Sequence, residues 1–102
     1  MNNKELWNMY KKDKSPLIKK QLIMTYANLV HYVIHQTKFG GEKFLDERNF
    51  FDIGIQGLKE AIERYDTGFE YQQRFEIFAI QRIRGAIIDG IRKLQDASQN
   101  ST

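Results

Sequence analysis

A chain of 102 residues with 41% hydrophobic residues, 28% charged residues and one proline holds enough apolar material for one modest core, which excludes disordered and fibrous classes and leaves little room for a second domain. A net charge of +3 permits an anionic partner without the dense Lys/Arg blocks of a protein that coats DNA indiscriminately. The absence of cysteine excludes disulfides and thiolate metal sites, and no apolar run approaches the ~20 residues that span a bilayer, so a cytoplasmic chain without signal peptide or membrane contact is expected.

The pattern Leu6 to Tyr10 predicts a short first helix that ends in a charged turn, Lys11-Lys12-Asp13-Lys14. Ser15 then supplies an N-cap with Pro16 at the first helical position, and Ile18, Leu22, Tyr26, Leu29, Val30, Val33 and Ile34 recur at helical spacing. They predict a second helix over residues 16–38. Gly40-Gly41 stops it, Asp46 or Asn49 caps a third, and Phe50, Leu58, Ala61, Ile62 and Tyr65 form that helix's apolar face, which ends near Asp66. Gly54 and Gly57 occupy neighbouring positions on this helix, where missing side chains let another helix come close at ~1 kcal/mol each in helix propensity. Thr67-Gly68 opens a polar loop to Gln73, and Ile80, Ile83, Ile87, Ile91 and Leu94 draw a stripe along a fourth helix starting at Phe75. Residues 95–102 are polar and aperiodic and read as a frayed tail, so the expected division is a helical domain at 1–94 and a tail at 95–102. No strand alternation occurs. The fold class is all-α, a compact bundle of three long helices plus a short N-terminal one.

The sequence offers no catalytic constellation. His31 and His35 have the i, i+4 spacing of a zinc pair, but Tyr32 stands where a zincin has Glu, and no third ligand is evident. No phosphate-binding glycine loop or nucleophile elbow occurs, and Glu60 and Glu63 stand among basic neighbours as an ion-paired helix face would. The chain is read as no enzyme, with no metal and no cofactor. The informative run is Arg74-Phe75-Glu76-Ile77-Phe78-Ala79-Ile80-Gln81-Arg82-Ile83-Arg84, where arginines that neutralise phosphates interleave with rings that stack on unpaired bases. Burial of both Phe75 and Phe78 explains the spacing equally well. Only one need be buried, because Phe78 lies about 200° from Ile80 at ~100° per residue, which makes Phe78 the candidate for exposure.

The stretch Asn49-Phe50-Phe51-Asp52-Ile53-Gly54-Ile55-Gln56-Gly57-Leu58-Lys59-Glu60-Ala61-Ile62-Glu63-Arg64-Tyr65-Asp66, with Phe75-Glu76-Ile77-Phe78-Ala79, resembles region 2 of the sigma-70 family, whose pattern reads D-L-x-x-x-G-x-x-G-L-x-x-A-I-x-x-F/Y-D and then F-x-T-Y-A. The run Arg82-Ile83-Arg84-Gly85-Ala86-Ile87-Ile88-Asp89-Gly90-Ile91-Arg92 is similar to the flagellar, motility and sporulation subgroup. The resemblance implies two surfaces. Asn49, Asp52, Ile53, Ile55, Gln56 and Lys59 would dock on the clamp helices of the largest bacterial subunit of core RNA polymerase. Arg74, Phe75, Phe78, Gln81, Arg82, Arg84, Ile88, Asp89, Arg92 and Lys93 would face promoter DNA, with Phe78 at the position of the tyrosine that stacks on an extruded base of the single-stranded nontemplate minus-ten strand. Arg92 and Lys93 also suit a plain helix end favoured by the dipole.

The sequence departs from the family at particular places. Asn49 stands for a frequent Asp, Asp52-Ile53 for Gln-Glu, Gln81-Arg82 for the Trp-Trp of housekeeping members, and Ile77 for a usual Thr, while the loop after Asp66 lacks the flagellar P-x-R-G. The family continues past this point with D-W-x-P-R-S-x-R and a region 4, so an excised domain or a split-type sigma is expected. The second expectation for function is a sigma-derived interaction module that binds polymerase or an anti-sigma factor and has no promoter recognition.

Overall fold

The computed structural model describes residues 2–36, 47–65 and 74–100, with the side chains of residues 47, 49, 95 and 97–100 outside the description. The expected stop at Gly40-Gly41, the cap at Asp46 and the loop at residues 67–73 therefore lie outside the described residues, whereas Asn49, the other expected cap, is the third residue of a helix that is already formed at Glu47 and so does not cap it.

Among the described residues five helices follow in order: α1 Asn3–Asp13, α2 Pro16–Tyr26, α3 Asn28–Gln36, α4 Glu47–Arg64 and α5 Phe75–Asn100. All described elements are helical. The carboxamide oxygen of Asn2 accepts from the Glu5 N–H at 2.9 Å to start α1. Its end falls later than the sequence predicts: Lys11, Lys12 and Asp13 are helical, and only Lys14 leaves the helix, at φ 51°, with its N–H donating to the Tyr10 carbonyl at 2.8 Å. Basic residues in a last turn suit the helix dipole, so charge there did not mark a turn. The Ser15 hydroxyl accepts from the Leu17 N–H at 3.2 Å and Pro16 opens α2, as its sequence predicts.

The single helix expected over residues 16–38 is two. Ala27 keeps helical angles, yet the Val30 N–H bonds to the Ala27 carbonyl at 3.0 Å, a tightened turn that separates α2 from α3. Just before it, the Thr25 hydroxyl donates to the Gln21 carbonyl at 2.8 Å, a back-bond that bends helices. The apolar spacing runs through this break undisturbed, which is why it was invisible.

The core takes Leu6 and Tyr10 from α1, Ile18, Leu22 and Tyr26 from α2, Val30 and Val33 from α3, Phe50, Leu58, Ala61 and Ile62 from α4, and Phe75, Ala79, Ile83 and Ile87 from α5. The pairing of α4 with α5 is the most extensive contact between elements. Gly57 makes it possible, since a Cβ there would lie 3.0 Å from both Ala86 Cβ and the Arg82 carbonyl oxygen, while Gly54 opens α4 toward α3, where a Cβ would lie 2.5 Å from Val30 Cγ1. Tight helix packing is thus the role the glycines fill. An ion pair between Lys19 and Glu63 joins α2 to α4.

Helix α5 departs from the predicted tail, running through to Asn100 where fraying after Leu94 was expected. Leu94 is already 40% exposed, so packing does not drive this continuation. No glycine or proline follows Gly90, and nothing in the backbone stops the helix. With 26 residues at ~1.5 Å each, α5 is the longest of the described helices, in a molecule measuring 51 by 27 by 20 Å.

Candidate nucleic-acid interface

Trp7 of α1, Tyr26 of α2 and Tyr65, just past the end of α4, converge on Phe75 at the start of α5. Phe75 lies 4.8 Å from Trp7, 4.6 Å from Tyr26 and 5.2 Å from Tyr65, centroid to centroid. The Trp7 indole N–H donates to the Tyr26 phenol oxygen at 2.9 Å. Burial raises the pKa of Tyr26 above its ordinary value, against the opposing pull of that hydrogen bond. Phe75 is 4% exposed, which corrects its place among the DNA-facing residues: its ring is enclosed by three others and holds α5 against the bundle.

Phe78 is half-buried, one turn further on. Tyr65 packs against it at 5.7 Å with planes at 42°, and the guanidinium carbon of Arg82 lies 5.0 Å from its centroid. The ring expected to be exposed is therefore accessible only in part. Arg74, Gln81, Arg84, Asp89, Arg92 and Lys93 are exposed, and Ile88 is half-buried. At ~100° per residue, Arg74, Phe78, Gln81, Asp89 and Arg92 fall within about 80° of one another, a single polar stripe headed by a ring. Arg84 and Ile88 fall beside it. Because α5 reaches Asn100, Arg92 and Lys93 lie about two turns inside the helix, beyond the range of a C-terminal dipole, so the plain helix-end reading of this pair loses its basis.

On α4, Asp52 and Gln56 are exposed while Ile53, Ile55 and Lys59 are half-buried. The side chain of Asn49 lies outside the described residues. An open groove of about 720 Å³ runs between α4 and α5, with Ile53, Gln56 and Glu60 on one wall and Gln81, Arg82, Asp89 and Lys93 on the other. The two surfaces implied by the sequence therefore meet: part of each lines the same groove. Asp52, Ile55, Arg74, Arg84, Ile88 and Arg92 stay outside it, while Lys59 borders a second groove beside Lys19, Lys20, Ile23 and Met24 of α2.

Sequence reasoning missed Trp7, Tyr65 and Glu60. Glu60 follows Gln56 by four residues, a signal that placed it on the same face; Trp7 and Tyr65 gave none, because their partners lie far off in sequence. His31 stacks on Phe51, centroids 4.7 Å apart, and among the described residues no group of three or more potential metal ligands gathers. Glu63 is held below the ordinary carboxylate range, first by the hydrogen bond from Lys19. No helix among the described residues is long and apolar enough to cross a membrane.

No family model matches the chain. RNA polymerase sigma-D factor of Bacillus subtilis (strain 168) is 35% identical over 88 residues, covering 86% of this chain and 34% of that protein. RNA polymerase sigma factor FliA of Pseudomonas aeruginosa is 34% identical over 85 residues, covering 83% of this chain and 34% of that protein. The chain spans about a third of the length of the curated relatives it matches. An all-helical domain with this sequence likeness is a sigma-factor region. Over most of its length the chain is homologous to sigma-70 family factors of the flagellar and motility type, which supports a sigma-factor region.

Proposed function

We propose that the chain is a noncatalytic region 2 module of transcription initiation, which binds the clamp helices of core RNA polymerase through the outer face of α4 and captures the nontemplate minus-ten strand through the start of α5. The observation that carries this is Phe78, a half-buried ring at the head of a stripe of arginines and polar groups, on a helix start pinned by Trp7, Tyr26 and Phe75. Extruding a base costs a few kcal/mol and stacking on a side chain returns ~1–3 kcal/mol, so stacking and unpairing nearly cancel. Phosphate contacts from Arg74 and Arg92 supply the remainder, and their effect falls with salt. Polymerase performs the chemistry, in the cytoplasm. Asp52, Ile55 and Lys59, with Asn49, Ile53 and Gln56, present the helix face that a clamp helix would meet.

The second reading, an interaction module that binds polymerase or an anti-sigma factor without reading DNA, is favoured by the shared groove, where one protein ligand would touch residues of both sets. Titrating the chain with a clamp-helix fragment, as wild type and as Ile55→Asp, tests the α4 contact; binding lost in the variant supports it, and equal binding removes it. Adding a minus-ten nontemplate oligonucleotide separates the readings, since an interaction module binds the clamp and ignores the DNA.

A further inference from the structure

We infer that Arg82 is a cover for Phe78 which the captured strand displaces, and that the displaced guanidinium then pairs with a phosphate of that strand; this rests on the promoter reading above. The guanidinium carbon stands 5.0 Å over the Phe78 ring, within the range of a cation on a π face. Tyr65 packs obliquely on the same ring. A base stacks only where a ring face is open, so the unbound chain holds Phe78 covered.

A second observation shows how weakly the cover is held. The Nε of Arg82 is buried without an acceptor, and among the described residues no ion pair engages its guanidinium, although Glu60 and Asp89 line the same groove. Attraction to the ring favours the closed position, and a donor stripped of water without a partner opposes it. Phosphate oxygens offer the paired acceptors that a planar guanidinium takes and that this position lacks. Arg82 follows Phe78 by one helical turn, so an arm that swings off the ring stays beside a strand stacked there. Lysine at this position would keep the charge and lose both the planar group and the Nε.

The test uses the full chain bound to core RNA polymerase, with a single-stranded minus-ten oligonucleotide carrying a fluorescent adenine analogue at the extruded base, titrated over a range of salt. Arg82→Ala uncovers the ring and removes one phosphate contact. Its salt slope is expected to be shallower by about 0.7. It binds more weakly than wild type at low salt and more tightly at high salt, with stacking quenching retained, and Arg82→Lys keeps the wild-type slope. An unchanged slope in Arg82→Ala overturns the phosphate pairing, and loss of quenching at every salt concentration overturns the cover in favour of a fixed wall. If Phe78→Ala binds and quenches like wild type, the promoter reading itself falls, an outcome separate from the other two.

Discussion

The indole N–H of Trp7 donates to the phenol oxygen of Tyr26 at 2.9 Å, and both rings pack on Phe75, the first residue of α5. That hydrogen bond joins α1 to α2, and the two rings together seat the start of α5. Trp7→Phe removes the indole donor to the Tyr26 hydroxyl, which keeps its hydrogen bond with Asn3, so the loss is that of one ordinary hydrogen bond, about 0.5–1.5 kcal/mol. Urea unfolding followed by circular dichroism should show the lower midpoint; an unchanged midpoint would mean that the bond contributes nothing net.

Two glycines should respond to alanine in opposite directions. Gly57→Ala puts a methyl 3.0 Å from a backbone carbonyl and from Ala86 Cβ, neither of which is a flexible side-chain end, so α4 and α5 must part and stability falls. A Cβ on Gly85 meets nothing within 4 Å, so Gly85→Ala gains up to about 1 kcal/mol of helix propensity. Thermal midpoints of the two variants check both signs.

The Lys19–Glu63 pair predicts a pH dependence. The folded-state pKa of Glu63 lies below its ordinary 4.5, so its stabilisation is present above that value and lost as pH falls through the lower, folded one. Both side chains are partly solvent-exposed, which keeps the effect small and sensitive to salt. Lys19→Met should flatten that acid limb of the stability curve, measured by denaturant unfolding between about pH 5 and pH 2.

Arg92 and Lys93 provide a test of register. If the stripe on α5 follows the strand, Arg92→Ala makes oligonucleotide binding to the polymerase-bound chain less dependent on salt by about 0.7 in slope, whereas Glu76→Gln, exposed near the helix start, leaves the slope no shallower than wild type.

Much of this fold was legible from apolar spacing. The α4 positions Phe50, Leu58, Ala61 and Ile62 and the α5 positions Ile83 and Ile87 are buried as their periodicity requires, and Gly54 and Gly57 do mark a close helix approach. Ala79 is buried too, but a methyl group carries little weight in a pattern. The break at Ala27 left no trace because it shifts hydrogen bonding without shifting the apolar face. Candidate residues were legible as types, not as surroundings: Phe75 and Phe78 look alike in sequence, and only the rings of Trp7, Tyr26 and Tyr65, brought from α1, α2 and the residue after α4, bury the first while the second stays half-buried. The groove that joins Ile53 and Gln56 to Arg82 and Asp89 depends on how α4 crosses α5, which no local pattern encodes.

Binding of a minus-ten nontemplate oligonucleotide to the polymerase-bound chain, compared between Phe78→Ala and Ile77→Ala, tests the central claim most directly. Ile77 is 48% exposed and lies next to Phe78 without joining its ring contacts, so it controls for loss of apolar surface. Phe78→Ala is expected to lose about tenfold or more, the worth of one stacked base, and Ile77→Ala to keep near wild-type affinity. Equal affinity of Phe78→Ala and wild type would contradict that claim.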